Sequence, residues 1–227
     1  PMTIKENIDV AGQATTHGVP LFAEAIAPTS SPAVERMLAA GAIPIGRTNL
    51  PDMGLRIHTD SSLHGRTKNP WMSERTAGGS SGGEGAALAT GMSPIGLGND
   101  IGGSLRNPAH ACGIASIKPS VGVIPDAQTY PSPDRSPAFQ TMAVQGVMAR
   151  NVGDVRRGFE IVAGPDPRDP VSLPVRLTDL AVGERLTVAI LPAPPGGSTH
   201  PDIAAAVRRA GDALSDAGHN VVEATPP

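Results

Sequence analysis

The chain has 227 residues, long enough for one large domain or two small ones that bury most of their apolar surface. Its formal charge of −3 comes from 18 basic and 21 acidic residues without a basic cluster, which argues against nucleic acid and anionic membranes as partners. No run of about 18 apolar residues and no basic-then-apolar amino terminus is present, so neither a membrane span nor a secretory signal is visible. The single Cys112 cannot close an internal disulfide, and a cytoplasmic setting is the default. Because the chain begins at Pro1, a signal peptide or a further domain could precede it.

In chain order, the first predicted element is a helix over Ser31–Gly41, with serine at the N-cap, Pro32 at the first helical position and glycine after the end. A buried strand at Ala42–Gly46 should follow. The small-residue run Gly82–Gly91 predicts a helix packed closely on a neighbour, which puts Ser80 and Ser81 at its amino end among unpaired N–H groups. A strand is expected at Pro94–Leu97. Residues Ile124–Met142 carry Pro125, Pro131, Pro133 and Pro137 among polar side chains and are expected to form a loop, as is Gly164–Pro174.

Asn151 caps a helix whose Val152, Val155, Phe159 and Val162 share one face, and Pro201–Ala217 repeats the pattern with Ile203, Val207, Ala210 and Leu214. Strands at Leu186–Leu191 and Asn220–Glu223 flank that last helix. The alternation of helix and strand predicts an α/β layered fold with a parallel or mixed sheet. One domain is expected, with a split near Gly164 as the alternative.

The chemistry is concentrated in two glycine-flanked serines. Gly78-Gly79-Ser80-Ser81-Gly82-Gly83 opens the small-residue helix, and Asp100-Ile101-Gly102-Gly103-Ser104 follows a strand. Two glycines before a serine let several N–H groups turn toward one point, as an oxyanion hole requires. Ser104 is then the candidate nucleophile. Its base should be histidine in most hydrolases, but none of His17, His58, His64, His110, His200 and His219 sits in a recognisable catalytic motif. A buried lysine can substitute, although neutralising a lysine of pKa ~10.4 at pH ~8 costs roughly 3 kcal/mol that its surroundings must supply.

Simpler readings stand beside these. Gly79-Ser80-Ser81-Gly82-Gly83 also fits Gly-x-Ser-x-Gly, which would make Ser81 a nucleophile elbow but leave the second cluster unexplained. The Gly-Lys-Ser/Thr ending of a phosphate-binding P-loop is absent. Cys112 reads as a small buried hydrophobe and the histidines lack zinc-ligand spacing, so no metal is expected.

The segments Ile4–Gly12, Gly46–Asp52, Lys68–Trp71, the two serine clusters and Gly113–Pro119 together resemble the amidase signature family of serine hydrolases, with weaker echoes at Gly146–Arg150 and Val188–Leu191. Ser80 follows Lys5 by 75 residues and Ser104 follows Ser80 by 24, separations that match the family. The resemblance implies a layered α/β/α fold with a mixed, largely parallel sheet, incomplete in this chain. It also implies one partial domain over 1–227, with a catalytic core of about 1–120 that 121–227 continues.

By the same resemblance Lys5 is the base, Ser80 a relay serine after a cis bond from Gly79, and Ser104 the acylated nucleophile. Ile101, Gly102, Gly103 and Ser104 would form the oxyanion hole. Ser81 and Thr76 would complete the network around Lys5 and Ser80, while Asp100 and Arg106 brace the nucleophile loop. The implied activity is hydrolysis of small carboxylic acid amides, or esters, through an acyl-enzyme without cofactor or metal. A homodimer is conceivable.

Ile101, Leu105 and Asn107 depart from the residues common in the A-type amidotransferase chain of the family, which weakens that alternative. Family members are roughly twice as long, so the chain reads as a fragment that retains the site and has little activity alone. The segment Met53–His64 is expected to line one wall of the substrate pocket.

Overall fold

Met2–Lys5 forms strand β1, buried along its whole length, and the alternation of its side chains organises everything around it. The computed structural model describes residues 1–130, 136–175, 177 and 183–225. Contacts divide the chain into two compact units, Pro1–Leu177 and Thr178–Pro227. In the first, β1 is followed by α1 (Pro32–Ala39), β2 (Pro44–Thr48), the hairpin β3 (Asp60–Ser61) and β4 (Gly65–Arg66), α2 (Gly82–Ala89), β5 (Ile95–Asp100) and α3 (Arg106–Cys112). Then come β6 (Ala115–Ser116), α4 (Pro137–Met142), β7 (Val144–Ala149) and α5 (Val152–Val162).

The central sheet has the order β2-β1-β5-β7-β6. Both pairings of β1 are parallel, and both pairings of β7 are antiparallel, so the sheet is mixed. One face carries Met2, Ile4, Leu97 and Val147, which pack with Val34 and Met37 of α1 and Val162 of α5 into the main core. The opposite face carries Thr3, whose hydroxyl donates to the buried Glu84 carboxyl of α2. Gly96 lies on that face because a Cβ there would overlap the Glu84 carboxyl. Leu88 of α2, Leu105 and Met148 complete a second cluster. Helices thus cover both faces, and the layered α/β/α expectation holds.

The second unit is a β8 (Thr187–Ile190), α6 (Pro201–Asp216), β9 (Asn220–Glu223) motif with the strands parallel, close to the predicted boundaries. His200 caps α6 by accepting from the Asp202 N–H. No described helix is long and apolar enough to cross a membrane.

Several local expectations change. Strands β1 and β7 escaped the sequence reading: Met-Thr-Ile-Lys alternates like a half-exposed strand, yet helices cover both its faces. The predicted loop Ile124–Met142 contains α4, started by the Ser136 hydroxyl accepting from the Phe139 N–H; Pro131 and Pro133 lie outside the described residues. Ser31 stands at the N-cap of α1, but its hydroxyl makes no capping bond. Asn151 caps α5 as expected, and Gly164–Pro174 stays irregular, tied to α1 through Arg36, which donates to the Val162, Gly164 and Pro165 carbonyls.

Candidate active site

Lys5 ends β1 on the α2 side of the sheet and is wholly buried. Its Nζ lies 2.7 Å from the Ser80 Oγ and 2.7 Å from the Asn99 Oδ1. Burial pushes its pKa down to about 7, against the opposing pull of the Asp100 and Glu84 carboxylates. A lysine at that value is substantially neutral near physiological pH, the condition for acting as a base. Glu84 lies in the same buried layer, and burial raises its pKa to about 7 despite hydrogen bonds from the Thr3 and Thr48 hydroxyls.

Ser80 follows a cis peptide bond from Gly79. Gly79 is packed against the backbone of 56–58, where an added Cβ would fall 2.7 Å from the His58 nitrogen. The expectation of unpaired N–H groups at the start of α2 is not met. Gly82 N–H donates to the Thr59 hydroxyl at 3.0 Å and Gly83 N–H to the Asn49 carbonyl at 3.2 Å. The turn is held rigidly, and its donors are spent on holding it.

Ser81 is fully buried, with its hydroxyl 3.4 Å from the Asn99 carbonyl, and it does not line the cavity, which removes the nucleophile-elbow reading. Its N–H instead donates to the Ser104 carbonyl at 3.2 Å, tying the two serine clusters together. Thr76 does not join Lys5 and Ser80 as expected: it is exposed, and its hydroxyl accepts from the Gly78 N–H. Cys112 is buried, its thiol donating to the Ala77 carbonyl, and burial pushes the thiol up to about 11.

The loop that carries Ser104 is organised by Asp100. Its carboxylate accepts from Gly103 N–H at 2.7 Å, from Leu105 N–H at 2.9 Å, and from Arg106 Nε and Nη2 at 3.1 and 2.9 Å. Burial would raise its pKa, but these donors outweigh it and hold the group at about 2. The expected brace is therefore present. It also spends the Gly103 N–H, which leaves Ile101, Gly102 and Ser104 as the backbone donors of the predicted oxyanion hole.

Asp100→Asn should lower stability by about 1.5–3 kcal/mol by weakening charged hydrogen bonds, and lower kcat by roughly 100-fold through a misplaced loop. Because the Asp100 charge raises the Lys5 pKa, the ascending limb of the pH–rate profile should also move to lower pH. Urea unfolding and pH-dependent kinetics measure both, and an unmoved limb would contradict the electrostatic link.

Ser80 and Ser104 both line one cavity of about 330 Å³, with Asn7, Asn99, Asp100 and Ile101 around them. Among the described residues no hydrogen bond joins the two serine hydroxyls; catalytic contacts of this kind often tighten only when substrate is bound. Of the expected wall Met53–His64, only Met53, Gly54 and Leu55 line the cavity.

Sequence reasoning missed Asn99 and Asn7. Asn99 accepts from Lys5 and donates from its Nδ2 to the Asn7 Oδ1 at 2.9 Å, which orients both amides. Each sits within two residues of a residue already singled out, but a side chain's reach across the sheet is invisible in the linear order.

The sequence model of the Amidase family matches residues 1–227. The indoleacetamide hydrolase of Bradyrhizobium diazoefficiens is 44% identical over 227 residues, covering 100% of this chain and 43% of that protein. The A-type chain of the glutamyl-tRNA(Gln) amidotransferase of Deinococcus radiodurans is 37% identical over 235 residues, covering 100% of this chain and 46% of that protein. The solved structure of 6-aminohexanoate cyclic dimer hydrolase superposes with a TM-score of 0.87 at 34% identity, covering 100% of this chain and 48% of that one. The chain belongs to the amidase signature family, and it spans about half the length of these relatives.

Proposed function

We propose that the full-length protein is an amidase that hydrolyses small carboxylic acid amides through a Lys5–Ser80–Ser104 triad and an acyl-enzyme, with both units parts of one catalytic domain whose core is about 1–120. The observation that carries this reading is the wholly buried Lys5 amine, with a pKa near 7, at 2.7 Å from the Ser80 hydroxyl. Neutral Lys5 takes the Ser80 proton while Ser80 takes that of Ser104, and the Ser104 Oγ bonds to the carbonyl carbon. Ile101, Gly102 and Ser104 N–H groups hold the oxyanion, each worth about 3 kcal/mol in a water-excluded site. As the C–N bond breaks, the proton returns through Ser80 to the leaving amine. Water then repeats the sequence on the acyl ester and releases the acid.

Indole-3-acetamide is the first substrate to test, because the indoleacetamide hydrolase relative is 44% identical across the whole chain. Ammonia release from it, or from a panel of aryl and alkyl amides, by the full-length protein supports the reading; no release from any overturns it. The 227 residues alone are expected to be feeble, since the relatives carry roughly as much chain again, and full activity in them would contradict that. The amidotransferase alternative is favoured by the Deinococcus relative and predicts glutamine-dependent transfer in place of simple hydrolysis. The proposal extends to a cytoplasmic enzyme, with a homodimer to be tested by sedimentation.

A further inference from the structure

The cavity lined by the two serines contains a buried acceptor with nothing to accept. Gln145 on β7 is 2% exposed, lines the cavity, and its Oε1 has no hydrogen-bond partner among the described residues. The orientation of its amide is set from behind. The Asp126 Oδ1 accepts from Gln145 Nε2 at 2.9 Å and from Gln128 Nε2 at 3.0 Å. Turning the Gln145 amide over would set oxygen against carboxylate oxygen, so the nitrogen stays on Asp126 and the oxygen is left over.

Gln128 is fixed in turn by accepting from the Asp9 N–H at 3.1 Å, and the Asp126 N–H donates to Asp169 Oδ2 at 2.8 Å. A chain of satisfied bonds from Asp9 thus ends in one unsatisfied oxygen. Native proteins rarely leave a buried acceptor unpaired, because it forfeits its hydration with no return.

Asp126 and Gln128 also line a second cavity with Gly122, Arg168 and Val171, whereas Ser80, Ser104 and Asn99 do not. The Gln145 amide is tied to that shared wall through Asp126, and its residue stands opposite Asn99 in the pairing of β5 with β7. The cavity that holds the serines is also lined by the apolar side chains of Met53, Leu55, Ile101 and Phe139.

We infer that the Gln145 Oε1 accepts a hydrogen bond from an N–H or O–H that the substrate carries outside its scissile amide, so that the site selects apolar, arylalkyl-type amides bearing such a donor. The inference rests on the amidase reading. A site that hydrogen-bonds a substrate group discriminates against an analogue lacking it, because the protein's own polar group is then left unpaired.

The test uses the full-length protein with indole-3-acetamide and benzothiophene-3-acetamide, which differ in the ring N–H and little in shape. The kcat/KM should favour the indole by roughly ten-fold, carried mainly in KM, and Gln145→Met should reduce the preference to about two-fold or less. Equal kcat/KM values in the unsubstituted protein, or a preference that survives Gln145→Met, overturn the inference while leaving the amidase reading intact.

The comparison in the unsubstituted protein decides the matter even if Gln145→Met does not fold. Where neither amide releases ammonia, the panel of aryl and alkyl amides decides the amidase reading. Calorimetric titration of the same pair into the Ser104→Ala protein then still reads Gln145: roughly ten-fold tighter binding of the indole supports its role, and equal affinities overturn it.

Discussion

Replacing Ser104 with alanine in the full-length protein is expected to lower kcat for amide hydrolysis by on the order of 10⁶-fold and to abolish labelling by a fluorophosphonate probe. Neither of the serines of the first cluster is placed to take over. Ser81 is buried outside the cavity with its hydroxyl toward the Asn99 carbonyl, and the Ser80 hydroxyl is held by the Lys5 amine. The fold should be indifferent to the change. Asp100 holds the loop through the N–H groups of Gly103 and Leu105, and Ser104 contributes its carbonyl to the Ser81 N–H, none of which needs the hydroxyl. The melting temperature should therefore stay within about 2 °C, which separates lost chemistry from lost structure. Mass spectrometry of the labelled protein locates the adduct, and a modified Ser81 would remove Ser104 from its role.

Lys5→Met should lower kcat by about 10⁴-fold and erase the ascending limb of the pH–rate profile, which in the unsubstituted protein should have its midpoint near pH 7. The rate rises with pH because the base must be neutral. Stability carries a second signature of the same group. The folded pKa is about 7 against an ordinary 10.5, so between these values the unfolded chain binds more protons and stability rises with pH. Glu84 is shifted in the opposite sense, from 4.5 to about 7, so its contribution falls as pH rises and is confined below pH 7.

The two contributions have opposite signs, and the two groups act on one another. Lys5→Met should flatten the stability gain between pH 7 and pH 10, as thermal unfolding across pH can show, and because the Lys5 charge lowers the Glu84 pKa, its loss should also shift the Glu84 window to higher pH. A retained gain above pH 7 would mean that Lys5 is ordinarily charged in the folded protein. Replacing the buried amine with an apolar side chain should also make the protein more stable at pH 7, a cost of function commonly recovered when an active site is dismantled.

Much of the helical framework was legible because its signals are local. Ser31-Pro32, Asn151 and His200-Pro201 all mark helix starts, although Ser31 holds its position without donating or accepting a capping bond. β1 was not legible, since Thr3 and Lys5 look like solvent-facing positions and become buried only because α2 covers them and Glu84, Ser80 and Asn99 satisfy their polar atoms. Thr76 misled for a related reason: it was expected in the network around Lys5 and Ser80, whereas its hydroxyl closes the local turn by accepting from the Gly78 N–H.

The sequence by itself determined the residue types and their separations, 75 from Lys5 to Ser80 and 24 from Ser80 to Ser104, and with them the family and the class of chemistry. Tertiary structure alone decided which groups are spent and which remain available. The Gly103 N–H belongs to Asp100, the α2 donors belong to Thr59 and Asn49, and the Gln145 oxygen is left without a partner among the described residues. It also decided that Lys5 is near neutrality, because desolvation is set by all the atoms that exclude water from a group, and those atoms come from β5, α2 and the serine loops, far away along the chain.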